Sequence, residues 1–306
     1  MANLAQRIFI KGGRLHPLWR VLLYIPAYLL VVLVLNMIAF AGYGILLTVT
    51  NNLAEIERLM AGQISKEAHL LAQLASLVGV LFLTWMFRRF LDRQSFISLG
   101  FRRQGPWLLD IGWGLVLGLV LMALIFAVEI AGGWLHVTGL VSWPTAMVTL
   151  LVYLFIYIIV GVTEELAFRG YMLVNLREGF GVIVAVVVSS VIFGLAHAMN
   201  PHFGPIALLN IALVGIFFCY AYLVTDNLWL PIAYHFSWNF GQGPLFSFPV
   251  SGTGGEGVFV TALTGAPEWI TGGAFGPEAG LLGTAAILLS FLAVWAWARV
   301  RYRTMK

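Results

Sequence analysis

The sequence is poor in charged residues and has almost no cysteine. Only 10% of its 306 residues are charged, 61% are apolar, and Cys219 is the single cysteine. One cysteine excludes an internal disulfide framework and the metal motifs that are built from several cysteines. So little charge in so apolar a chain excludes an ordinary soluble domain and indicates a membrane protein.

Two familiar hydrolase signatures are also missing. No serine lies in a Gly-x-Ser-x-Gly pattern, and no His-Glu-x-x-His pattern occurs. The first pattern marks a serine nucleophile, and the second marks the helix of a zinc peptidase. Cys219 has no evident partner in the sequence, so a covalent nucleophile is not indicated.

Apolar stretches long enough to cross a bilayer recur along the whole chain, since a span needs about 20 residues. The eight candidates are residues 18–48, 69–87, 107–131, 144–174, 182–198, 205–224, 228–241 and 281–298. The seventh is short for a span, so a count of seven stays open. The sequence predicts an all-α fold, a polytopic membrane helical bundle of about eight transmembrane helices.

The chain divides into four segments. Residues 1–143 hold transmembrane helices 1–3 and a basic tail, residues 144–242 hold most of the unusual polar residues, residues 243–280 form a Gly-rich loop, and residues 281–306 hold the last helix and a second basic tail. The loop has too many glycines to be helical throughout. We interpret it as a flexible connector, with a lid or substrate-contacting loop as the alternative. Gly114 and Gly118 form a small-xxx-small pair that we interpret as coincidental, because the pattern is common in membrane helices.

Basic residues cluster at span ends rather than along one soluble face, which argues against a nucleic-acid partner. The three clusters are Arg7, Lys11, Arg14 and Arg20 before the first span, Arg88, Arg89, Arg93, Arg102 and Arg103 between the second and third, and Arg299, Arg301, Arg303 and Lys306 after the last. With eight spans, all three clusters lie on one side of the membrane. The positive-inside rule then predicts that both termini are cytoplasmic.

Ionisable groups inside a membrane cost roughly 2.5–3.5 kcal/mol each, so those that occur there need a reason. Residues 130–163 and 179–225 contain no Asp, Glu, Lys or Arg, and Glu164, Glu165 and Arg169 lie between these two stretches. Glu165 and Arg169 are four residues apart, which places them on one helix face as an ion pair. Glu164 is rotated by about 100° from Glu165 and so points toward a different neighbour.

Two later spans also contain polar residues at one-turn spacing. His197 follows Phe193 by four residues, and Asn239 follows His235 by four. Each could be a satisfied core histidine or an interhelical hydrogen bond, and His202 has the setting of a loop residue. Polar sites on three successive helices favour a shared site instead. A carboxylate and an imidazole can take a proton from water, while an amide and a second imidazole can stabilise an oxyanion, which suits peptide hydrolysis.

The three motifs, in this order, resemble the signature of the CPBP intramembrane proteases, a family that includes the type II CAAX prenyl endopeptidases and the Abi bacteriocin-processing and immunity proteins. They are Glu164-Glu165-Leu-Ala-Phe-Arg169, Phe193-x-x-x-His197 and His235-x-x-x-Asn239. The resemblance makes residues 144–242 a CPBP-like catalytic core with an interior cavity. It implies that Glu164 is the general base, that His197 helps to bind the water, and that His235 and Asn239 form the oxyanion hole. Glu165, Arg169 and Phe193 would support these groups.

Two mechanisms remain open at this stage. We favour a metal-free glutamate protease without a cofactor. The alternative is a metalloprotease in which Glu164, His197 and His235 would hold a zinc ion beside an open water position.

Other functions also remain open. Buried Glu and His residues occur in proton-coupled transporters, and an immunity or scaffold protein could keep the same polar cluster without catalysis. We expect a peptide or membrane-protein substrate, the lipid bilayer as surroundings and no nucleic acid, in the plasma membrane of a prokaryote. Cleavage is expected near the cytoplasmic side. Oligomeric state and substrate identity, including whether prenylated proteins are targets, cannot be read from the sequence.

Overall fold

Long helices that alternate in direction make up most of the protein, as a computed structural model of residues 8–103 and 105–301 describes it. The principal helices are α1 (Pro17–Val49), α2 (Leu53–Met60), α3 (Lys66–Met86), α4 (Trp107–Ala131), α5 (Trp143–Glu165), α6 (Val174–Phe180), α7 (Val182–Ala196), α8 (Pro205–Thr225), α9 (Trp229–Phe240), α10 (Glu268–Thr271) and α11 (Leu281–Arg301). Turns of π-helix follow α3 (Phe87–Leu91), join α5 to α6 (Leu166–Leu173) and follow α9 (Gly241–Leu245). The predicted all-α membrane bundle is confirmed.

Six helices within the described residues are long and apolar enough to cross a membrane. They are Pro17–Val49, Lys66–Leu91, Trp107–Ala131, Trp143–Phe180, Pro205–Thr225 and Leu281–Arg301. The protein is therefore an integral membrane protein. The count of eight spans is not confirmed, because α7 has 15 residues and α9 has 12, fewer than the roughly 20 that a bilayer requires.

The basic clusters meet at one end of the bundle, which we call the basic end. Arg14 donates to the main-chain oxygen of Asp92 at 2.8 Å, and Arg102 pairs with Asp226 at 3.3 Å. These contacts join the start of α1 to the segment after α3, and the segment before α4 to the end of α8. Arg7, Arg303 and Lys306, which the prediction also placed here, lie outside the described residues.

A buried network at the basic end is centred on the Asp92 carboxylate, which is fully buried. It accepts hydrogen bonds from Arg88 at 2.7 Å, Tyr171 at 3.1 Å and Asn175 at 3.2 Å, and it lies 3.7 Å from Arg20. A buried carboxylate is tolerated when it is paired and hydrogen-bonded in this way. The network ties α1, the π-helix after α3, the π-helix of residues 166–173 and α6 together.

Glycines set the closest helix approach, between α4 and α9. A Cβ at Gly114 would lie 2.8 Å from the main-chain oxygen of Leu230, and one at Gly118 would lie 2.8 Å from the main-chain nitrogen of Trp238. Side chains larger than hydrogen are therefore excluded on this face of α4. The pair is a packing motif of the kind that brings membrane helices together, and our interpretation of it as coincidental was wrong.

The opposite end, which we call the loop end, carries short strands and the Gly-rich segment. Strand β3 (Leu135–Leu140) pairs antiparallel with β6 (Phe259–Leu263), and β4 (Pro249–Val250) pairs with β5 (Thr253–Gly254). A further hairpin of β1 (Ile10–Lys11) and β2 (Arg14–Leu15) precedes α1. The Gly-rich segment is thus folded onto the bundle. This arrangement favours a lid or substrate-contacting loop over a flexible connector.

Candidate active site

The predicted pair of Glu165 and Arg169 is present and completely buried. Arg169 Nη1 lies 2.9 Å from Glu165 Oε1, and neither side chain is exposed. The guanidinium also lies 4.1 Å from the ring centre of Phe193 and 4.7 Å from that of Phe218. These cation–π contacts and the ion pair together compensate for the burial of the charge.

His235 binds the same carboxylate oxygen. Its Nδ1 lies 3.0 Å from Glu165 Oε1. Glu165 is in an ion pair with Arg169, and a carboxylate in such a pair only accepts hydrogen bonds, so Nδ1 of His235 is the donor. The other ring nitrogen, Nε2, faces Glu164 Oε2 at 3.8 Å, which is too long for a hydrogen bond. Glu165 therefore fixes the orientation of the imidazole and leaves Nε2 available.

Glu164 has the different environment that its rotation from Glu165 predicts. Its side chain is 25% exposed, against 0% for Glu165. Its Oε2 has no hydrogen-bond partner among the residues that the structure describes. Of these two neighbours in sequence, Glu165 is thus held by other side chains away from the cavity, and Glu164 lies on the cavity wall.

His197 ends α7 as its C-cap residue. Its Nδ1 lies 2.9 Å from the main-chain oxygen of Phe193, and its ring packs edge-on against the Phe193 ring at 5.0 Å. A carbonyl oxygen can only accept, so Nδ1 carries the proton in this contact. In the neutral ring, Nε2 is then left with a lone pair that can accept a hydrogen bond from water.

These residues meet at an internal cavity of about 230 Å³. Glu164, His197, His235 and Asn239 line it together, with Phe193 beside them, whereas Glu165 and Arg169 lie behind its wall. Asn239 is only 5% exposed. His202 is exposed and is not on the cavity wall. The structure therefore brings all four residues with predicted catalytic roles to one space.

Further polar residues line the cavity that the sequence motifs did not indicate. They are His69, Gln73, Tyr157, Asn200, Asn210, Ser251, Thr253 and Glu278. They come from α3, α5, the end of α7, α8 and the Gly-rich segment, so no local pattern joins them. Asn210 is held by Gly280 and Thr284 at 3.0 and 2.8 Å. Glu278 is one of three glutamates in a segment without Lys or Arg, and nothing in the sequence distinguishes it from Glu256 and Glu268.

The Glu278 carboxylate is fixed by Ser251, whose main-chain nitrogen and hydroxyl donate at 2.6 and 2.8 Å. Burial raises the pKa of Glu278 above its usual value, while the hydrogen bonds from Ser251 and the nearby His197 lower it. The net direction is upward. This residue gives the cavity a second carboxyl group in addition to that of Glu164.

Local backbone structure explains how the motif residues reach the cavity. All eight residues of the π-helix that follows Glu165 are buried, and a second π-helix begins two residues after Asn239. Such turns recur at functional sites because they change the direction of the side chains around them. A Cβ at Gly161 would lie 3.2 Å from the oxygen of Ile232 and 3.8 Å from His235 Cβ. Gly161 therefore lets α5 approach α9 at the height of His235.

The cavity extends from these helices toward the loop end. Asn200, Ser251, Thr253 and Glu278 on its wall all belong to loop-end segments. If the basic clusters are cytoplasmic, this part of the cavity faces the other side of the membrane, because the clusters and the loop end are at opposite ends of the helices. The two expectations, cytoplasmic termini and cleavage near the cytoplasmic side, therefore disagree with each other.

The three alternative zinc ligands, Glu164, His197 and His235, all line the cavity. Among the described residues, no group of three or more His, Cys, Asp or Glu side chains is placed to hold a metal ion. Nδ1 of His197 contacts the Phe193 carbonyl and Nδ1 of His235 contacts Glu165, so each ring has only Nε2 for a further ligand. The chelation experiment below distinguishes the metal-free from the zinc mechanism.

The four motif residues on the cavity wall supply a carboxylate, two imidazoles and an amide, a set of groups that suits hydrolysis by an activated water. Residues 145–241 match the family model described as type II CAAX prenyl endopeptidase Rce1-like. The match covers about a third of the chain and contains all three motifs, so the resemblance of this segment to the CPBP and CAAX proteases is confirmed. The family is one of proteases, which supports an intramembrane endopeptidase. No curated protein and no solved structure was found to match the chain.

Proposed function

We propose that the protein hydrolyses a peptide bond by direct attack of a water molecule, with Glu164 as general base. The observation that carries this proposal is the unequal environment of the two adjacent glutamates. Glu165 is fully buried and bound by Arg169 and His235, while Glu164 is 25% exposed and lines the cavity. A general base has to reach the attacking water, and only the carboxylate on the cavity wall meets that requirement.

His197 acts on the same water. Its Nδ1 donates to the Phe193 carbonyl, so the neutral ring presents the lone pair of Nε2 as a second acceptor. Two acceptors, one from Glu164 and one from His197, can hold both protons of a water molecule and direct its oxygen lone pair toward the scissile carbonyl. Orientation of this kind lowers the entropic part of the barrier.

His235 and Asn239 stabilise the negative oxygen that develops on the scissile carbonyl. Nδ1 of His235 donates to Glu165, so Nε2 carries a proton only when the ring is an imidazolium. In that form, Nε2 of His235 can donate to the developing oxyanion. The amide of Asn239 supplies an uncharged donor. Donors that are fixed before the reaction give the largest share of such stabilisation.

The substrate enters from the loop end. The residues of the cavity wall that lie outside the helices belong to that end, and the positive-inside rule assigns it to the outer face. Both termini are then cytoplasmic, and the substrate is a peptide or a segment of a membrane protein. A fluorescent reporter fused after Lys306 should fold and fluoresce in a prokaryotic host. Absence of fluorescence from the full-length fusion, together with activity of an exported reporter at that position, would reverse the orientation.

The test is cleavage of a quenched peptide library by the detergent-purified protein. We expect Glu164→Gln to lose about 1,000-fold in kcat/KM, the range that a positioned general base contributes. The matched control is His202→Ala, which removes an exposed histidine close to His197 in sequence and should retain activity. Both variants should melt at the wild-type temperature.

A chelator arm tests the metal-free mechanism. If activity persists after exhaustive chelation, and metal analysis finds no bound metal, the result supports water activation by Glu164 without a metal ion. Activity that is lost with the chelator and restored by zinc would overturn the metal-free proposal. Equal cleavage by wild type and Glu164→Gln would overturn the assignment of the base. Absence of cleavage with proton-coupled uptake into proteoliposomes would favour a transporter.

A further inference from the structure

The cavity wall has one carboxyl group, that of Glu278, that the proposed chemistry does not use. The wall includes two carboxyl groups, Glu164 and Glu278, and no Lys or Arg. Arg169, the buried cation nearby, is paired with Glu165 behind the wall. Lys66 at the loop end binds Thr149 at 2.7 Å and Glu256 at 3.8 Å. Among the described residues, Glu278 therefore has no Lys or Arg in an ion pair.

Glu278 is held in place by a short turn, by hydrogen bonds from Ser251 and by close backbone packing at the flanking glycines. It lies in the short turn Pro277–Ala279 that precedes α11, and two hydrogen bonds from Ser251 fix its Oε2. The turn requires glycine on both sides. Gly276 has a positive φ of 100°, and a Cβ there would collide with the Pro249 main chain, just as a Cβ at Gly283 would collide with Pro277. The glycines of this segment thus allow the backbone to place a carboxylate at the cavity.

The cavity also contains an unsatisfied group that points to a ligand. Asn239 is 5% exposed and lines the wall, and no hydrogen bond joins its amide to another described residue. The free Glu164 oxygen is the second such group. Buried polar groups that lack partners are costly, so the cavity is suited to a polar occupant. The Glu278 carboxylate on the wall indicates an occupant with a positive charge.

We propose that Glu278 is a specificity residue that binds a cationic group of the substrate, a lysine or arginine side chain or a free amino terminus next to the scissile bond. This inference rests on the proposed peptidase function and names its substrate class. A cation from the substrate would form a charge-assisted hydrogen bond with the remaining lone pairs of the Glu278 carboxylate. Within a partly desolvated cavity, such a bond discriminates strongly against a neutral side chain.

The test compares two pools of fluorescent peptides that are identical except that one has lysine and the other acetyl-lysine, at each position around the centre. Binding is measured by fluorescence anisotropy on full-length Glu164→Gln protein, so that the result does not depend on cleavage. We expect the lysine pool to bind about tenfold more tightly, the ratio for one hydrogen bond to a charged group. Glu278→Gln in the same background should bring the ratio close to one, and Glu278→Asp should retain part of it.

Charge reversal provides the second arm. Glu278→Lys should prefer glutamate-containing peptides over matched glutamine peptides. Equal binding of both pools by Glu164→Gln, or a lysine preference that persists in a folded Glu278→Gln variant, would overturn the specificity role. Because anisotropy reports binding alone, a failed specificity result with intact Glu164-dependent cleavage leaves the peptidase proposal standing. A lysine preference without cleavage would contradict the peptidase and retain the cation site.

Discussion

The protein buries two polar clusters, the Asp92 network at the basic end and the cavity cluster around Glu164, and they differ in how their polar atoms are paired. Asp92 has contacts from four side chains. In the cavity cluster, Glu164, Glu165 and Arg169 each have a buried polar atom without a partner. In the Asp92 network, Arg20 Nη2 is the single buried polar atom without a partner among the described residues.

This difference separates structural from functional burial of charge. Complete pairing lowers the cost of desolvation and connects segments that are distant in sequence. Incomplete pairing raises that cost, and on the cavity wall it leaves Glu164 and Asn239 able to bind a ligand. Both clusters contain a carboxylate, an arginine and an asparagine, so composition alone would not distinguish them. The distinction lies in geometry.

The largest expected effect in the comparison is on stability. Asp92→Asn removes the charge that Arg20 and Arg88 share, and we expect the free energy of unfolding to fall by about 3 kcal/mol, the value for breaking a buried pair. Denaturant unfolding in detergent measures it. The kcat/KM of the folded protein should stay within twofold of wild type. The matched control is Asp226→Asn, which breaks the exposed pair with Arg102 and should cost less than 1 kcal/mol. Equal stability of the two variants would contradict the comparison.

The next effect is on catalysis through orientation. Glu165→Gln replaces the acceptor that Arg169 and His235 share, and we expect kcat to fall about 30-fold, as for other carboxylates that orient a functional histidine. KM should change little, because Glu165 is not on the cavity wall. Glu165→Asp should recover part of the loss. A large rise in KM with unchanged kcat would show that Glu165 binds substrate instead.

A smaller effect is expected from packing next to His235. Gly161→Ala places a methyl group 3.2 Å from the Ile232 oxygen, so α5 and α9 must move apart slightly. We expect a loss of about tenfold in kcat, since sub-ångström displacements of reacting groups have effects of this order. Gly42→Ala is the matched control, because a Cβ there has no neighbour within 4 Å. Equal activity of the two variants would show that the α5–α9 spacing does not control His235.

The smallest effect concerns pH. Burial raises the pKa of Glu278, and the nearby His197 opposes this shift in part. The Tyr157 hydroxyl is a further titratable group that interacts with this carboxyl group. A carboxyl group is charged above its pKa, so the preference for lysine peptides should be present at high pH and disappear as the pH falls through the raised pKa. Loss should therefore occur at a higher pH than for an ordinary glutamate. Anisotropy titrations of Glu164→Gln measure it. A preference that is constant down to pH 4 would contradict the burial of this group.

The sequence predicted those features that depend on local spacing. The helix positions followed from apolar runs, and the Glu165–Arg169 pair followed from four-residue spacing on one helix. The shared cavity of Glu164, His197, His235 and Asn239 followed from three motifs and a family resemblance. All of these are patterns within a few turns of helix.

Features that depend on distant contacts were missed. His235 binds Glu165 across 70 residues, and Asp92 meets Asn175 across 83, so no spacing rule joins them. The basic residues indicated topology, yet Arg20 and Arg88 also hold the core of the basic end. The Gly-rich segment had no helical or strand period, and its contribution of Glu278 depends on backbone conformations that only the folded chain reveals.

The π-helices after Glu165 and Asn239 make the orientation of the following side chains depend on the number of residues at these two places. A helix with i→i+5 bonding holds one more residue per hydrogen-bonded loop than an α-helix, so the following segment is turned relative to a regular helical wheel. Deleting one residue between Leu166 and Leu173 would let the helix relax to α-helical bonding and rotate Asn175 and Glu178 away from Asp92 and Arg20. The number of residues in this stretch therefore sets the rotation of Asn175 and Glu178 relative to Glu164 and Glu165. A related sequence with one residue fewer here would present different side chains to the Asp92 network.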